Sequence, residues 1–235
     1  MTEEFCGNKL ILGDCLEEMK NIGDESIDCI ITSPPYNIGK MHANNLRYGT
    51  YGGNDMNEEE YQQWQVEFLN ECFRVLKPNG SMFYNHKVRI KDGLAIHPLS
   101  WVLKSKFLLK QEIVWDMGKS ANCDKIRFFP FSERIYWLVK DKKTKIYNVN
   151  NLSDVIRCVP TNNRNKNGHI AVMPEYIADI CLDSVVGCQT VLDPFMGTGT
   201  TLKSAQKHNM NFIGIELDSN YFEIAKKRIL GDEKE

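Results

Sequence analysis

Residues 191–201, VLDPFMGTGTT, decide the fold class because they join an apolar strand to a helix through a glycine-rich turn. Gly197 and Gly199 allow the backbone to turn tightly and to approach a ligand closely. The segment lacks the lysine of a phosphate-binding P-loop and the third glycine of the dinucleotide fingerprint. We therefore expect a ligand without a diphosphate.

An acidic residue follows at the end of the next strand, where Glu216 closes the apolar run FIGIEL. A carboxylate at this place in an α/β fold can accept hydrogen bonds from ribose hydroxyls. The Gly-x-Gly turn and the downstream acid together favour a nucleoside-containing ligand. The alternative is an ordinary turn followed by a surface glutamate.

A second motif lies in residues 29–39, CIITSPPYNIG, where an apolar strand ends on Ser33, two prolines and Tyr36. Proline fixes φ and donates no backbone hydrogen bond, so it suits the place where a strand ladder stops. The stretch is either a stiff turn or a means of holding a backbone carbonyl and an aromatic ring in place for chemistry.

Apolar periodicity along the chain alternates between strand and helix, which predicts a doubly wound, mostly parallel α/β sheet. Asn57 is the predicted N-cap of a helix that ends at KPNG, residues 77–80. Residues 133–149 predict two strands joined by a charged turn, and hence an antiparallel edge, while residues 150–168 predict a loop. The other predicted strands are residues 8–14, 26–33, 81–86, 107–115, 190–195 and 211–217, and the other predicted helices are residues 15–22, 99–106, 174–186, 199–209 and 219–229.

The composition is that of a globular protein, since the 235 residues are 42% hydrophobic and 26% charged. No stretch is typical of a secretory signal or of a membrane span. The eight cysteines include no C-x-x-C pair, which argues against a zinc site and for free thiols in a reducing compartment. We expect a cytoplasmic protein with no bound metal.

Basic residues concentrate in residues 119–174, which hold eleven Lys and Arg against four Asp and Glu, although the chain as a whole has a net charge of −2. A segment of this kind is either a solvated face or the footprint of a polyanion such as nucleic acid.

The two motifs together resemble those of the DNA amino-methyltransferases that use S-adenosylmethionine. TSPPY is similar to their catalytic motif, and DPFMGTGTT is similar to their cofactor motif. The catalytic motif comes first, as in the circularly permuted beta-class, and the resemblance extends over nearly the whole chain. It implies a single methyltransferase domain, residues 1–235, with a Rossmann-like fold and a permuted motif order.

The resemblance also implies roles at the catalytic motif. Ser33 and the carbonyl of Pro34 would accept hydrogen bonds from an exocyclic amino group, with Pro35 stiffening the turn. Tyr36 would stack on the target base, which must be flipped out of the duplex. The cofactor would contact Asp14, Cys15, Asp193, Phe195, Gly197, Thr198, Gly199, Thr200, Glu216 and Leu217.

Double-stranded DNA is the implied partner, and residues 119–168 are the implied target-recognition insert. Lysine and arginine would hold phosphates, and asparagine would read base edges. The predicted DNA-binding residues are Arg47, Lys119, Lys125, Arg127, Asn163 and Arg164. A cognate restriction endonuclease is a possible further partner, and the enzyme is expected to be a monomer or a homodimer.

Three alternatives remain open at this point. Serine at position 33 favours N4-methylation of cytosine, but N6-methylation of adenine is the alternative. A protein amide methyltransferase would have the cofactor motif first, which this chain does not. A catalytically dead DNA-binding relative would carry a damaged GTG or PPY motif, and both are intact.

Overall fold

The computed structural model describes residues 1–37, 56–118, 126–159 and 173–231, which form a twisted sheet between two layers of helices. The strands are β1 (Thr2–Phe5), β2 (Asn8–Leu12), β3 (Ile27–Thr32), β4 (Leu76–His86), β5 (Arg89–Lys91), β6 (Leu94–Ile96), β7 (Leu108–Asp116), β8 (Ser132–Val139), β9 (Val155–Arg157), β10 (Thr190–Asp193) and β11 (Asn211–Glu216). The helices are α1 (Cys15–Met19), α2 (Glu58–Val75), α3 (Leu99–Val102), α4 (Glu175–Ser184), α5 (Thr200–Lys207) and α6 (Ser219–Leu230).

Nine of these strands form one sheet in the order β1-β2-β11-β10-β3-β4-β8-β7-β9, and β5 and β6 form a separate hairpin. The five strands from β2 to β4 in that order are parallel. Strand β8 runs antiparallel to both β4 and β7, and β1 runs antiparallel to β2. The predicted doubly wound sheet with an antiparallel edge is therefore confirmed.

Two apolar cores lie on opposite faces of the sheet, because alternate residues of each buried strand point to opposite sides. Cys29 and Ile31 of β3 belong to the core that packs against α4, α5 and α6. Ile30 belongs to the core that packs against α1, α2 and α3. Several cysteines, including Cys72 and Cys181, are buried in these cores as small apolar residues.

The topology brings the two sequence motifs to one edge of the sheet. Strands β3 and β10 are parallel neighbours, with Val191 opposite Cys29 and Leu192 opposite Ile30. The catalytic motif follows β3 and the glycine-rich turn follows β10, so both leave the sheet at its carboxyl edge. Ligands of open α/β sheets bind at this edge.

Two sequence predictions about the strands are wrong. Residues 77–80 do not lie outside the sheet, because β4 begins at Leu76, which pairs with Ile27, and a register shift before Cys29 accommodates the extra residues. The predicted second strand after Val139 is also absent from the described structure. Both edges of β8 are already occupied by β4 and β7, and Tyr147 instead donates its backbone N–H to the carbonyl of Ser184.

The structure adds short strands where the sequence predicted none. Strand β9 lies within residues 150–168, which were predicted to be a loop, and pairs with β7 at the sheet edge. The β5–β6 hairpin was not predicted either. Three-residue strands are too short to give a readable alternation of apolar and polar residues. Within the described residues, no helix is both long and apolar enough to cross a membrane.

The N-terminus of α2 yields a test of the fold. Asn57 caps the helix, as predicted, because its Oδ1 accepts the N–H of Glu60 at 2.9 Å. We expect Asn57→Ala to lower the free energy of unfolding by about 1 kcal/mol, because that N–H loses its partner. Urea denaturation measures the change. Gln63→Ala, on the exposed face of the same helix, is the control, and an equal loss in both variants would contradict the capping role.

Candidate functional site

A small cleft lies at the carboxyl edge of the sheet, where the turns after several strands meet. Five of the predicted cofactor residues line it, namely Asp14, Cys15, Phe195, Glu216 and Leu217. Pro35 of the catalytic motif lines the same cleft, so the two motifs share one cavity. Trp64 of α2 also lines it, and no sequence motif marks this residue.

Glu216 is buried at the base of this cleft, where its side-chain oxygens accept backbone hydrogen bonds. Oε2 accepts the N–H of Gly197 at 2.9 Å, and Oε1 accepts the N–H of Asp218 at 2.8 Å. Burial raises the pKa of this carboxyl to about 7. A carboxylate has about four acceptor positions, so hydroxyl donors can still bind it.

Asp193 joins the two motifs directly. Its Oδ1 accepts the hydroxyl of Thr32 at 2.8 Å and the N–H of Phe195 at 3.1 Å. Thr32 immediately precedes Ser33, the predicted catalytic serine, and Phe195 begins the glycine-rich turn. Burial raises the pKa of Asp193 to about 6, and hydrogen bonds from Thr32 and Thr201 oppose that rise. The side chain thus positions both motifs from within the sheet.

The glycine-rich turn adopts backbone conformations that favour glycine. Gly197 has φ +53° and Gly199 has φ +80°, both in the left-handed region. The turn is also fixed from outside, because Arg228 of α6 donates to the carbonyl and the hydroxyl of Thr198 and to the hydroxyl of Thr200. These contacts hold the start of α5 in place.

Asp14 has a structural role that the sequence did not indicate. Its Oδ1 caps α1 by accepting the N–H groups of Leu16 at 2.9 Å and Glu17 at 3.2 Å. Cys15 is buried beside it, and burial raises the pKa of the thiol far above its usual range. Both residues still line the cleft.

The catalytic motif centres on the hydroxyl of Tyr36. This hydroxyl lies 2.7 Å from Ser33 Oγ, 2.9 Å from Asn85 Oδ1 and 3.1 Å from Glu133 Oε2. The Tyr36 ring packs on His86, with ring centroids 4.4 Å apart. Asn85, His86 and Glu133 come from distant segments, and no sequence motif marks them.

Buried polar side chains form hydrogen bonds beneath the Pro34–Pro35 pair and contact its backbone. Tyr61 of α2 donates its hydroxyl to the carbonyl of Pro35 at 2.7 Å and accepts a hydrogen bond from the Gln65 side chain at 2.7 Å. Nε2 of His86 lies 2.7 Å from the same hydroxyl. Burial lowers the pKa of His86 to about 3, so its imidazole is neutral. Within the described residues, the carbonyl of Pro34 has no hydrogen-bond partner.

Most of the predicted DNA-binding residues fall outside the described residues, namely Arg47, Lys119, Lys125, Asn163 and Arg164. Arg127 is described and exposed, and the side chain of its neighbour Phe128 is 99% exposed. Across the described ranges, no group of three or more His, Cys, Asp or Glu side chains could hold a metal ion.

Comparison with known proteins identifies relatives over nearly the whole chain. The N6/N4 methyltransferase family model, described as DNA methylase, matches residues 27–227. Type II methyltransferase M.HpaI of Haemophilus parainfluenzae is 33% identical, over 94% of this chain and 74% of its own. Type II methyltransferase M.BglII of Bacillus subtilis is 31% identical, over 97% of this chain and 70% of its own. DNA adenine methyltransferase YhdJ of Escherichia coli (strain K12) is 29% identical, over 94% of this chain and 82% of its own.

Solved structures share the fold. The PvuII DNA methyltransferase, described as cytosine-N4-specific, superposes with a TM-score of 0.81 at 20% identity, over 97% of this chain and 88% of that one. The complex of M1.HpyAVI with SAM superposes with a TM-score of 0.68 at 23% identity, over 94% of this chain and 98% of that one.

The bond between Thr32 and Asp193 can be tested by removing one hydroxyl. We expect Thr32→Val to lower the free energy of unfolding by about 1–3 kcal/mol, because a buried carboxylate loses a donor. Chemical denaturation measures the change. Thr144→Val is the matched control, since the buried hydroxyl of Thr144 has no partner among the described residues and its loss should be neutral or stabilising. Equal losses in the two variants would contradict the role of the bond.

Proposed function

Because the chain belongs to the DNA methylase family of N6 and N4 amino-methyltransferases, we propose that it methylates the N4 amino group of cytosine in DNA. Family membership makes it a site-specific DNA amino-methyltransferase that uses S-adenosylmethionine. The observation that carries the proposal is the convergence of the two motifs. Pro35 and Glu216 line one cleft, and Asp193 ties the strand before Ser33 to the glycine-rich turn.

The chemistry of the cleft fits this cofactor. The described residues that line it include two carboxyl groups, Asp14 and Glu216, and none of these residues is Lys or Arg. A cationic sulfonium suits such surroundings, whereas a phosphate would be repelled. We assign the ribose hydroxyls to Glu216 and the adenine to the surroundings of Asp14, Cys15 and Leu217.

The methionine part of the cofactor is assigned to the glycine-rich turn. Phe195, Gly197, Thr198, Gly199 and Thr200 surround it in this proposal, at the N-terminus of α5. Backbone N–H groups at a helix N-terminus favour a carboxylate. Asp193, which is also predicted to contact the cofactor, is buried and positions the turn through the N–H of Phe195.

The residues of the catalytic motif act on the target amino group. An exocyclic amino group is a weak nucleophile, because its lone pair is conjugated with the ring. Ser33 Oγ and the carbonyl of Pro34 accept its two hydrogens and orient the lone pair toward the methyl group. The bond from Tyr61 to Pro35 and the fixed φ of the prolines keep that carbonyl in place. The cofactor supplies an electrophilic methyl group, and Tyr36 stacks on the base.

Cytosine is favoured over adenine by the residue at the head of the motif. Ser33 is the form that the resemblance associates with N4-cytosine enzymes, and the PvuII enzyme, with the same fold, is described as cytosine-N4-specific. N6-methylation of adenine is the alternative, since the relative YhdJ is named a DNA adenine methyltransferase.

The assignments for DNA recognition rest on charge. Residues 119–168 are proposed as the target-recognition insert because of the excess of Lys and Arg between 119 and 174. Arg127 is proposed to contact phosphate at its exposed position. The Type II names of the relatives favour a partner restriction endonuclease. A cytoplasmic location and a monomeric or homodimeric state also belong to this proposal.

The product identifies the target base. The protein is incubated with unmethylated genomic DNA and S-adenosylmethionine, the DNA is digested to nucleosides, and the nucleosides are analysed by mass spectrometry. We expect N4-methylcytosine. N6-methyladenine would replace the cytosine proposal with its alternative. If the enzyme binds the cofactor but forms neither methylated nucleoside, the proposal that it methylates DNA is rejected.

The raised pKa of Glu216 predicts a pH dependence of cofactor binding. The carboxyl is protonated below its pKa of about 7 and ionised above it, and the ionised form is the better acceptor for ribose hydroxyls. Affinity for S-adenosylmethionine should therefore increase as the pH rises through 7, as measured by calorimetry.

The Glu216→Gln variant should bind S-adenosylmethionine more weakly, and its affinity should lack the rise through pH 7 that is due to Glu216. The nearby carboxyl of Asp193 and the groups of the cofactor are common to both proteins, so the difference between the two profiles isolates Glu216. Glu17→Gln, on the exposed surface of α1, is the control. Identical profiles for Glu216→Gln and the wild type would remove Glu216 from the ribose site.

A further inference from the structure

Glu133 is a carboxyl group beside the catalytic motif to which neither the sequence nor the comparisons give a role. It lies at the start of β8, which runs antiparallel to β4, so its side chain reaches the carboxyl edge of the parallel strands. Its Oε2 lies 3.1 Å from the hydroxyl of Tyr36. It is partly buried, and no ion pair to it is found among the described residues.

The hydrogen bonds around Tyr36 make Ser33 a donor to Tyr36 when Glu133 is ionised. The side-chain nitrogen of Asn85 donates to the carbonyl of Arg134 at 3.1 Å, so its Oδ1 faces Tyr36. A carboxylate oxygen and an amide oxygen can only accept. The single proton of the Tyr36 hydroxyl is therefore donated to Asn85 Oδ1 or to Glu133 Oε2, and not to Ser33.

This direction fixes the role of Ser33. Because the proton of Tyr36 is directed away, the 2.7 Å contact between the two hydroxyls requires Ser33 to donate to Tyr36. The lone pairs of Ser33 Oγ are then free to accept a hydrogen from the substrate. With the Tyr36 proton directed to Glu133, Ser33 donates to Tyr36, Tyr36 donates to Glu133, and the carboxylate is the final acceptor.

We propose that Glu133 accepts the proton released by methyl transfer, through the hydroxyls of Ser33 and Tyr36. The proposal rests on the proposed function, and it applies equally to cytosine and adenine. It gives Tyr36 a role through its hydroxyl in addition to the proposed stacking of its ring.

The step balances in atoms and charge. The amino nitrogen forms a bond to the methyl carbon with its lone pair, and the carbon–sulfur bond breaks with its electron pair on sulfur. The nitrogen, now cationic, gives one proton to Ser33 Oγ. Ser33 passes its own proton to Tyr36, and Tyr36 passes its proton to Glu133. The products are a neutral methylated amine, a neutral thioether and a neutral carboxylic acid, which later returns its proton to water.

The surroundings of Glu133 suit an acceptor. Burial raises its pKa above the usual range, while the charge of Lys87 and hydrogen bonds from Tyr36 and Asn85 oppose that rise. A carboxyl whose pKa is raised by burial takes up a proton more readily than an exposed one. His86, on the adjacent strand β4, is neutral. Arg134, next to Glu133 on β8, is paired with Glu112 of β7 at 2.8 Å.

Glu133→Gln tests the proposal, because glutamine keeps an acceptor for the Tyr36 hydroxyl but cannot take up the proton. Enzyme in excess is saturated with S-adenosylmethionine and mixed with unmethylated genomic DNA, and the methylated nucleoside is followed by mass spectrometry across a range of pH. We expect a rate about 100-fold below the wild type, the low end for losing acid–base catalysis. The wild-type rate should rise with pH as Glu133 ionises, and the variant should lack that rise.

Tyr36→Phe separates the proton path from base stacking, since it keeps the ring and removes the hydroxyl. The path predicts that this variant is about as slow as Glu133→Gln, and that the double variant is no slower than the slower single variant, because both changes break one chain. Stacking alone predicts a rate near that of the wild type. Glu112→Gln is the matched control, because it removes a nearby carboxylate that contacts Arg134 instead of Tyr36.

The outcomes separate this inference from the proposed function. The product formed by the wild type tests the function, whereas the ratio of variant to wild-type rates tests the inference. Retained affinity for S-adenosylmethionine shows that each variant is folded. A wild-type rate and pH profile in Glu133→Gln, or a wild-type rate in Tyr36→Phe, would overturn the proposal.

Discussion

The hydrogen bond between the Thr32 hydroxyl and the buried carboxyl of Asp193 is the interaction on which the geometry of the site depends. A buried carboxyl must keep its donors, because losing one leaves a desolvated polar group. Two of the donors of Asp193 are Thr32, the last residue of the strand before Ser33, and the N–H of Phe195 in the glycine-rich turn. One side chain therefore fixes the relative position of the proposed methyl acceptor site and the proposed cofactor site. The parallel pairing of β3 and β10 places their ends together, and this bond sets their alignment.

Carboxyl groups dominate the edge of the sheet where the site lies. Burial raises the pKa of Asp193 to about 6 and that of Glu216 to about 7, and it raises the pKa of Glu133 as well. Holding these groups away from water destabilises the fold once they are ionised. The proposed reaction gives this arrangement a use, because it starts from a cationic sulfonium and ends with the release of a proton. Carboxylates at this partly dehydrated edge of the sheet stabilise the cationic sulfonium, and one of them accepts the released proton.

The sequence predicted the sheet because its signals are local. The glycine-rich turn, the Pro-Pro pair and the Asn57 cap each follow from adjacent residues, and their strand and helix contexts are confirmed. Glu216 was predicted from its place after a strand, and it does line the cleft. Leu217 lines the cleft beside it.

The parts of the site that could not be predicted depend on tertiary contacts. Glu133 reaches Tyr36 because β8 runs antiparallel to β4, whereas the sequence predicted that this strand pairs with a second strand within residues 133–149. Trp64 follows the same apolar periodicity as the core residues of α2, so nothing in the pattern marked it as a cleft residue. Asp14 illustrates the reverse case, since the resemblance implied a ligand contact and the structure shows a helix cap as well.

The two motifs converge on one cleft, and a crystal structure of the complex with S-adenosylhomocysteine tests this convergence most directly. We expect the ribose hydroxyls to lie on the carboxylate of Glu216 and the sulfur atom to face Ser33 across the cleft. A ribose bound elsewhere, or a sulfur atom turned away from Ser33, would contradict the proposed site.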